Sequence, residues 1–260
     1  MCAFALIGLA VFLRSTPLFG REPLRVATYN IFAGNPDLER SVRVILDADI
    51  DLVALQEVSH RHIDVLTSRL SERFPYRFFP ESGHSDGPAL LSRVPLANER
   101  YRPSKRGLNG FAFAEIDFDG RQVQVGNLHL DPIRTWTLAY KLTVPWQVLW
   151  QGAHHRSELT QVSAELRPMM ATIILGDLNT IASKAAPEEF TRWGLIDSYA
   201  AIHPHGNSVA THRAAILGIS VGRRIDFIFH SRELRTVDSE LIRGEPSDHD
   251  MVRSTLEWSE

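Results

Sequence analysis

The sequence has almost no cysteine, which excludes two common ways of building a stable or reactive protein. Among 260 residues there is one cysteine, Cys2. Neither an intramolecular disulfide nor a metal cluster held by several thiolates is therefore possible within the chain. The sequence also has no internal repeat, no low-complexity tract and no long run of like charges. With 44% hydrophobic and 23% charged residues, the composition is that of an ordinary globular protein.

An excess of positive charge is also missing. The formal net charge is −3 and the sequence pI is about 6.4, so nothing draws the whole molecule towards nucleic acid, and any phosphate binding must be local. Two basic clusters could supply it, namely residues 100–106, with four cations in seven residues, and Arg223-Arg224. They could contact the phosphates of nucleic acid or an anionic headgroup, or they could form a solvated surface loop.

The apolar block at residues 2–13 is too short to span a bilayer. It has 12 residues, followed by Arg14, whereas a spanning helix needs about 20. Its length matches a signal h-region, but no Lys or Arg precedes it, and a cation after it favours keeping that side in the cytoplasm. A signal, a membrane anchor, the end of a truncated longer segment and a first core strand all remain open. We interpret residues 1–20 as lying outside the domain, and expect a membrane-associated or exported protein rather than a cytoplasmic one.

Apolar patterns and turn signals predict strands that alternate with helices in the first half of the chain. Asn35-Pro36 is a good helix start, and Asp119-Gly120 predicts a tight hairpin. The predicted strands are 24–31, 51–56, 76–79, 89–92, 111–118, 121–130, 172–175, 224–230 and 251–257, and the predicted helices are 35–47, 60–73, 157–166 and 187–193. These elements imply a mixed sheet system with helices outside. No linker is long or polar enough to divide it, so we expect one domain over residues 24–258.

The stretch Gly176-Asp177-Leu178-Asn179 follows an apolar run typical of a strand buried on both faces. If the chain stays extended, Asp177 and Asn179 leave the same face. A carboxylate and a carboxamide would then stand together, as a base beside an oxyanion donor. The alternative is a plain turn, because Asp and Asn hydrogen-bond their own backbone.

Polar side chains at four other places also fall at or near strand ends, where a rigid scaffold can bring them together. Each has a structural alternative: a strand-end cap for Asn30, an acid at a helix entry for Glu57, a partner of Arg223 or Arg224 for Asp226, and a solvated turn for Asp248 and His249 in residues 247–250. Carboxylates and carboxamides without thiolates favour a hard cation such as Mg²⁺ or Mn²⁺.

From Leu24 onward the chain resembles the endonuclease/exonuclease/phosphatase superfamily, a group of metal-dependent phosphoesterases. Six motifs occur in that family's order: Thr-Tyr-Asn-Ile (28–31), Gln-Glu-Val (56–58), Asn-Leu-His-Leu (127–130), Gly-Asp-Leu-Asn (176–179), Arg-Ile-Asp-Phe-Ile (224–228) and Ser-Asp-His (247–249). The resemblance implies an α+β fold, a four-layer α/β/β/α sandwich of two packed mixed sheets flanked by helices. The active site would lie between loops at one end of the sheets.

The resemblance also implies a role for each matched residue. Asn30, Glu57 and Asp248 match metal positions, with Glu57 the principal ligand. Asp177 matches the residue that orients or deprotonates the attacking water, and Asn179 matches its neighbour that holds the phosphate and the nucleophile. Whether one or two metal ions bind is left open.

Two histidines complete this set. His249 matches the phosphate-facing imidazole and Asp226 the carboxylate that orients it. His129 matches the second histidine of the deoxyribonuclease and sphingomyelinase branches, and argues against the apurinic-site branch, which usually has tyrosine there. A cationic His249 beside Asp226 would meet the negative charge that develops on the phosphate during hydrolysis.

The substrate is less well defined by the sequence. Residues 131–154 carry Trp136, Tyr140, Trp146 and Trp150, which could form a membrane-touching flap or pack over the core beside His129. The adjacent His154-His155 we interpret as surface residues. We expect a monomeric phosphoesterase acting on a phospholipid or another small phosphodiester. The alternatives are an endonuclease of the deoxyribonuclease type and an inactive scaffold that binds phosphorylated ligands.

Overall fold

The computed structural model describes residues 22–82, 86–105, 109–133, 138–181, 184–205, 209–216 and 219–260. Its strands are β1 (Leu24–Asn30), β2 (Leu52–Ser59), β3 (Tyr76–Phe78), β4 (Asp86–Ser92), β5 (Ala97–Pro103), β6 (Gly110–Phe118), β7 (Arg121–His129), β8 (Ala171–Asp177), β9 (Ile196–Asp197), β10 (His212–Ile216), β11 (Ile219–Arg223), β12 (Asp226–His230), β13 (Leu234–Ile242) and β14 (Met251–Trp258). Its helices are α1 (Leu38–Asp47), α2 (His60–Leu70), α3 (Leu138–Glu165), α4 (Ala185–Arg192) and α5 (Ser198–Ile202).

Two six-stranded mixed sheets form the centre of the fold. The first has the order β13-β14-β1-β2-β4-β3 and the second the order β5-β6-β7-β8-β12-β9. Each contains one parallel pair, β1 with β2 and β7 with β8, joined by a helical crossover through α1 or α3. Strands β10 and β11 form a separate hairpin.

Three apolar clusters give the fold its layers. One lies between the sheets and joins residues such as Val26 and Leu52 of the first sheet to Val125 and Ile173 of the second. Another packs α1 and α2 on the first sheet, and the third packs α3 and α4 on the second. Helix, sheet, sheet and helix therefore stack in that order, which confirms the predicted four-layer sandwich.

Helix α1 begins two residues later than the Asn35-Pro36 signal predicts. Its N-cap is Asp37, whose carboxylate accepts a hydrogen bond from the backbone N–H of Arg40. The Asn35 side chain instead donates to the carbonyl of Ile31 and to Ser41 Oγ. Asn35 therefore closes the loop after β1 rather than capping the helix. Helix α2 likewise ends at Leu70 instead of residue 73.

The segment after β7 differs most from the sequence prediction. Helix α3 runs from Leu138 to Glu165 and includes most of the 131–154 segment, whereas the sequence predicts a helix only over 157–166. Trp146 and Trp150 on this helix are exposed, so they do not pack over the core beside His129. Trp136 lies outside the described residues.

Residues 1–20 also lie outside the described residues, so their interpretation as a signal or anchor stays a prediction. Across the residues described, no helix combines the length and the apolar character needed to cross a membrane.

Candidate active site

The central strands of the two sheets, β1 and β8, end beside each other. Asn30 at the end of β1 donates from Nδ2 to Oδ2 of Asp177 at the end of β8, at 3.1 Å. Gly176 precedes this aspartate with a φ of 146°, and a Cβ there would collide with the carbonyl of Leu128. Glycine is therefore required for β8 to approach β7 and bring Asp177 to this position.

The chain does not stay extended after β8. Asn179 has a φ of 48°, its backbone N–H donates to Asp177 Oδ1 at 2.8 Å, and its side-chain amide donates to the carbonyl of Leu130 at 2.9 Å. Of the two alternatives, the structure therefore has the turn, and Asp177 and Asn179 do not share a strand face. The local hydrogen bond of an Asp turn competes with the extended backbone and wins. The turn brings the backbone N–H of Asn179, rather than its side chain, onto the Asp177 carboxylate.

Glu57 lies where β2 departs from regular pairing. The register of β2 with β4 shifts between Leu55 and Val58, and Glu57 has a φ of 59°, a strained conformation for a residue with a side chain. Its Oε1 accepts a hydrogen bond from Asn30 Nδ2 at 3.0 Å, and its Oε2 accepts one from the backbone N–H of Ala33 at 2.8 Å. These bonds fix a partly buried carboxylate at the sheet edge beside Asn30.

Asp226 and His249 form a buried pair. His249 Nδ1 lies 2.9 Å from Oδ2 and 3.1 Å from Oδ1 of Asp226. Asp226 faces Asp177 across the β8–β12 pair, so the structural alternative that Asp226 pairs with Arg223 or Arg224 is wrong. Ser247 holds the histidine's loop, since its hydroxyl donates to the carbonyl of Asn30 and accepts from the backbone N–H of His249.

Two histidines face the same oxygen of Asp177. The distance from Asp177 Oδ2 is 3.7 Å to His249 Nε2 and also 3.7 Å to His129 Nε2. His129 is buried and ends β7, whose register with β8 sets it opposite Asp177. The three side chains therefore surround one small volume at the end of the second sheet.

The charges in this volume depend on one another. Burial and the neighbouring Asp226 carboxylate raise the pKa of Asp177 above its ordinary value. Burial alone would lower the pKa of His249, but the carboxylates of Asp226 and Asp177 outweigh it and raise that pKa to about 10. His249 is therefore an imidazolium at neutral pH, held between two acids.

Asp248 lies at the rim of the same site and is partly exposed. Its Oδ2 is 3.6 Å from His212 Nε2, and the rings of His212 and His249 lie 4.6 Å apart. Burial would raise the pKa of Asp248, but the hydrogen bond from His212 and the charge of His249 lower it.

His212 and Thr211 are site residues that sequence analysis missed. Thr211 Oγ1 accepts hydrogen bonds from the backbone N–H groups of Ile225 and Asp226 at 3.0 and 3.1 Å. His212 forms an isolated bridge with His249. No strand or turn signal surrounds them in the sequence, and only their contact with residues 224–250 reveals them.

The oxygen donors present suit a hard divalent cation. Glu57, Asn30, Asp177 and Asp248 offer carboxylate and carboxamide oxygens, and each oxygen of Glu57 accepts one described hydrogen bond, which leaves a lone pair for a metal. Two further groups have ligand atoms within 4.8 Å of one another, namely Asp177, Asp226 and His249, and His212, Asp248 and His249. The residues present therefore fit the implied metal.

Three cations of the basic clusters form ion pairs within the molecule. Arg100 and Arg102 lie on β5 rather than in a loop, and both contact Glu165 of α3. Arg224 is buried and pairs with Asp197 at 2.6 Å. Arg100 and Arg224 are therefore not part of a solvated loop, whereas Arg102 stays half-exposed.

The two adjacent histidines of α3 also differ from expectation. His155 is buried, and its Nε2 lies 2.9 Å from the carbonyl of Asp131. His154 is half-exposed, with Nδ1 3.7 Å from Asp131 Oδ2. Only His154 is therefore a surface residue.

Comparison with known proteins agrees with this geometry. A family model described as "Endonuclease/Exonuclease/phosphatase family" matches residues 27–249, which confirms the predicted resemblance. A search of curated protein sequences finds no match.

Solved structures share the fold at low identity. A protein of the same family from Leptotrichia buccalis C-1013-b is 19% identical with a TM-score of 0.67, covering 90% of this chain and 100% of that one. TDP2 from D. rerio, complexed with single strand DNA product, is 17% identical with a TM-score of 0.67, covering 90% and 99%. Sphingomyelinase C from Streptomyces griseocarneus is 17% identical with a TM-score of 0.61, covering 92% and 99%.

Proposed function

The chain belongs to the endonuclease/exonuclease/phosphatase family and is a phosphoric ester hydrolase, and from this premise we propose that it hydrolyses a phosphodiester with the help of a divalent metal ion. The observation that carries the proposal is the contact of one imidazole with two acids. His249 joins Asp226 through Nδ1 and faces Asp177 through Nε2. This arrangement offers a cation and a carboxylate side by side to a phosphate and its attacking water.

Asp177 is the group we assign to the water. An ordinary aspartate is a weak base at neutral pH, because its pKa lies near ~4. The raised pKa of Asp177 makes it a stronger base. Asn30 and the backbone N–H of Asn179 donate to its two oxygens and fix its orientation.

His249 and His129 are the groups we assign to the phosphate. Hydrolysis builds negative charge on the non-bridging oxygens, and a preorganised cation stabilises that charge. His249 is held in place by Asp226 before substrate arrives. His129 approaches Asp177 from β7, the neighbouring strand of the same sheet, and the side chain of Asn179 bonds the carbonyl of Leu130, the next residue along.

Glu57, Asn30 and Asp248 are the residues we assign to the metal, Mg²⁺ or Mn²⁺. When bound, such an ion acts as a Lewis acid towards the phosphate and lowers the pKa of water. The partly buried Glu57 carboxylate, fixed by Asn30 and Ala33, supports its assignment as the principal ligand.

The ion pairs that Arg100, Arg102 and Arg224 form within the molecule favour a small phosphodiester or a phospholipid over a polynucleotide. Nucleic-acid binding draws on several free cations that contact phosphates. Arg100, Arg102 and Arg224 are instead committed to carboxylates of the same molecule. An endonuclease of the deoxyribonuclease type remains the second candidate, because a relative of the same fold is described with single strand DNA product.

The proposal is tested with bis(p-nitrophenyl) phosphate in the presence of Mg²⁺ or Mn²⁺. We expect metal-dependent release of p-nitrophenol from the parent, loss of this activity in Asp177→Asn and its retention in Asp238→Asn, which changes an exposed aspartate on β13. Two further assays, plasmid nicking and release of a phospholipid headgroup, then distinguish a nucleic-acid substrate from a phospholipid. No hydrolysis of any of these substrates with either metal would support an inactive phosphate-binding scaffold instead.

A further inference from the structure

The first half of helix α3 is largely apolar, and most of its described apolar side chains are exposed to solvent. We call residues 138–150 the α3 arm. Leu142 is 73% exposed, Trp146 64% and Leu149 66%, and Val148 and Trp150 are each 56% exposed. Positions 142, 146, 149 and 150 follow the spacing of one helical face. Large side chains in such a continuous apolar face rarely stay in water without a partner.

We propose that the α3 arm docks on the surface of a phospholipid bilayer. Tryptophan favours the boundary between headgroups and acyl chains, where its ring is apolar and its N–H stays wet. The arm has 13 residues, about 20 Å of helix, which is too short to cross the ~30 Å hydrocarbon core. It therefore lies in the interface instead of spanning the membrane.

The charge around the arm suits a surface of phosphates. From Pro132 to Ser157 the sequence contains no Asp or Glu, whereas Arg134, Lys141 and Arg156 are cations. In the described part of this segment, Lys141 and Arg156 are both exposed. Cations next to an apolar helix add electrostatic attraction to anionic lipid.

The base of the arm is attached to the loops that carry the active site. Gln151 donates from Nε2 to the carbonyl of Asn179 at 3.0 Å. Four residues further on, His155 bonds the carbonyl of Asp131, two residues after His129. A bilayer on the arm would thus lie close to the residues proposed to bind phosphate. The inference deepens the proposed function in this respect, because it would bring lipid phosphodiesters to the site.

A second copy of the chain suits the arm less well. A specific dimer interface buries about 800 Å² on each partner, and five side chains on one short helix fall short of that area. The cations beside the arm would also repel their own copies. A bilayer needs no matching partner surface and meets both the apolar face and the cations.

The experiment is vesicle flotation followed by tryptophan quenching. The chain of residues 1–260 is mixed with vesicles of phosphatidylcholine alone, or of phosphatidylcholine with about 30% phosphatidylglycerol, an anionic lipid. We expect the parent to float with the vesicles, more strongly with the anionic lipid, and brominated phosphatidylcholine to quench its fluorescence. Residues 2–13 could also bind lipid, so a variant lacking residues 1–20 is tested beside the full chain.

Variants of the arm decide between the explanations. In Trp146→Ser/Trp150→Ser, binding should fall roughly tenfold or more, in both the full chain and the shortened one. The matched control Tyr76→Ser/Val237→Ser removes two exposed apolar side chains from other elements, and should bind as the parent does. Lys141→Glu should weaken binding to anionic vesicles more than to neutral ones.

The proposal is overturned if the arm variant floats with vesicles as well as the parent does. It is also overturned if sedimentation velocity shows that the parent dimerises with increasing concentration and that the arm variant does not. Catalysis is tested separately. Asp177→Asn should still bind vesicles, and the arm variant should still hydrolyse bis(p-nitrophenyl) phosphate. Failure of vesicle binding would leave the proposed hydrolase intact, and failure of hydrolysis would leave the docking arm intact.

Discussion

His249 presents Nδ1 to Asp226 at 2.9 Å and Nε2 to Asp177 at 3.7 Å, so both ring nitrogens face carboxylate oxygens. A neutral imidazole carries a proton on only one nitrogen, and its other lone pair would then point at an acid. The geometry therefore selects the doubly protonated ring. Because all three groups are buried, little solvent screens this attraction.

Replacing Asp226 by asparagine tests this selection. In Asp226→Asn the pKa of His249 should fall from about 10 towards its ordinary value of 6.5, since the largest favourable charge is lost. We expect kcat for a phosphodiester to fall roughly 10²–10³-fold, with a smaller change in KM. NMR titration of the imidazole and steady-state kinetics measure the two effects. An unchanged pKa with normal turnover would show that Asp226 does not position His249.

Replacing Glu57 by glutamine tests the metal assignment. Glu57→Gln keeps the shape of the side chain but removes the charge that would bind a divalent ion. We expect the concentration of Mg²⁺ or Mn²⁺ that gives half-maximal activity to rise more than about tenfold. Calorimetry should show a lower affinity for Mn²⁺. Glu39→Gln, which changes a half-exposed carboxylate on α1, is the matched control. Equal metal requirements in the two variants would place the metal elsewhere.

Asn127 joins the sheets beneath the site, and its loss should reduce stability. Its side-chain amide donates to the carbonyls of Leu55 and Ala89, both at 2.8 Å, and its oxygen accepts from Gln56 at 2.8 Å. Asn127→Ala leaves buried polar atoms without these partners, and each such loss costs about 1–3 kcal/mol. We expect the free energy of unfolding in urea to fall by roughly 2–4 kcal/mol.

The control on the same strand is Gln122→Ala, because Gln122 is exposed. It should change the free energy of unfolding by less than about 0.5 kcal/mol. A similar small change in Asn127→Ala would mean that water replaces the lost bonds.

Tyr29 should make the fold sensitive to alkaline pH. Burial raises its pKa from 10 to about 12, so the neutral phenol is favoured in the folded chain. The resulting stability is complete below pH 10, where the unfolded chain also holds the proton, and is lost as pH rises from 10 towards 12. The loss should approach roughly 3 kcal/mol.

Tyr29→Phe isolates this effect from the other groups that titrate in the same range. The variant loses the hydrogen bond from the phenol to the carbonyl of Gly244, so it should be less stable than the parent at neutral pH. Urea unfolding is measured at several pH values between about 9 and 12. The difference in the free energy of unfolding between parent and variant should shrink as the pH rises. A constant difference would contradict the assigned role of Tyr29.

Strand ends were the most predictable feature of the site. An apolar run that stops at a polar residue marks where a buried strand leaves the core, and this rule located Asn30, Asp177 and, at a bulge near the end of β2, Glu57. The six motifs then indicated the family and the layered fold. Neither step requires knowledge of long-range contacts, which is why both succeeded.

The errors have a common physical origin in contacts between distant parts of the chain. Strand β5 is largely exposed, and the partner of its Arg102, Glu165, lies 63 residues away. The hairpin β10–β11 likewise acquires its role only through its contact with His249. Backbone conformation was the second source of error, because nothing in Asp-Leu-Asn distinguishes an extended chain from the turn at Asn179.

The first half of helix α3 is difficult to predict from the sequence for a different reason. Its apolar residues face solvent in the arm, and Pro145 lies inside the helix, so neither an inward apolar stripe nor uninterrupted helix formers mark its first half. The signal that the segment was unusual, four large aromatics in a short span, was nevertheless present.

The left-handed backbone at Glu57 has a consequence for laboratory evolution. Glycine adopts a φ of 59° without penalty, so Glu57→Gly would relieve local strain at the cost of the carboxylate. A library selected for heat resistance alone would accept glycine here if the relieved strain exceeds the two hydrogen bonds that the carboxylate accepts from Asn30 and Ala33, and would then lose turnover. Any thermostabilisation campaign should sort its survivors by reaction rate in the same round.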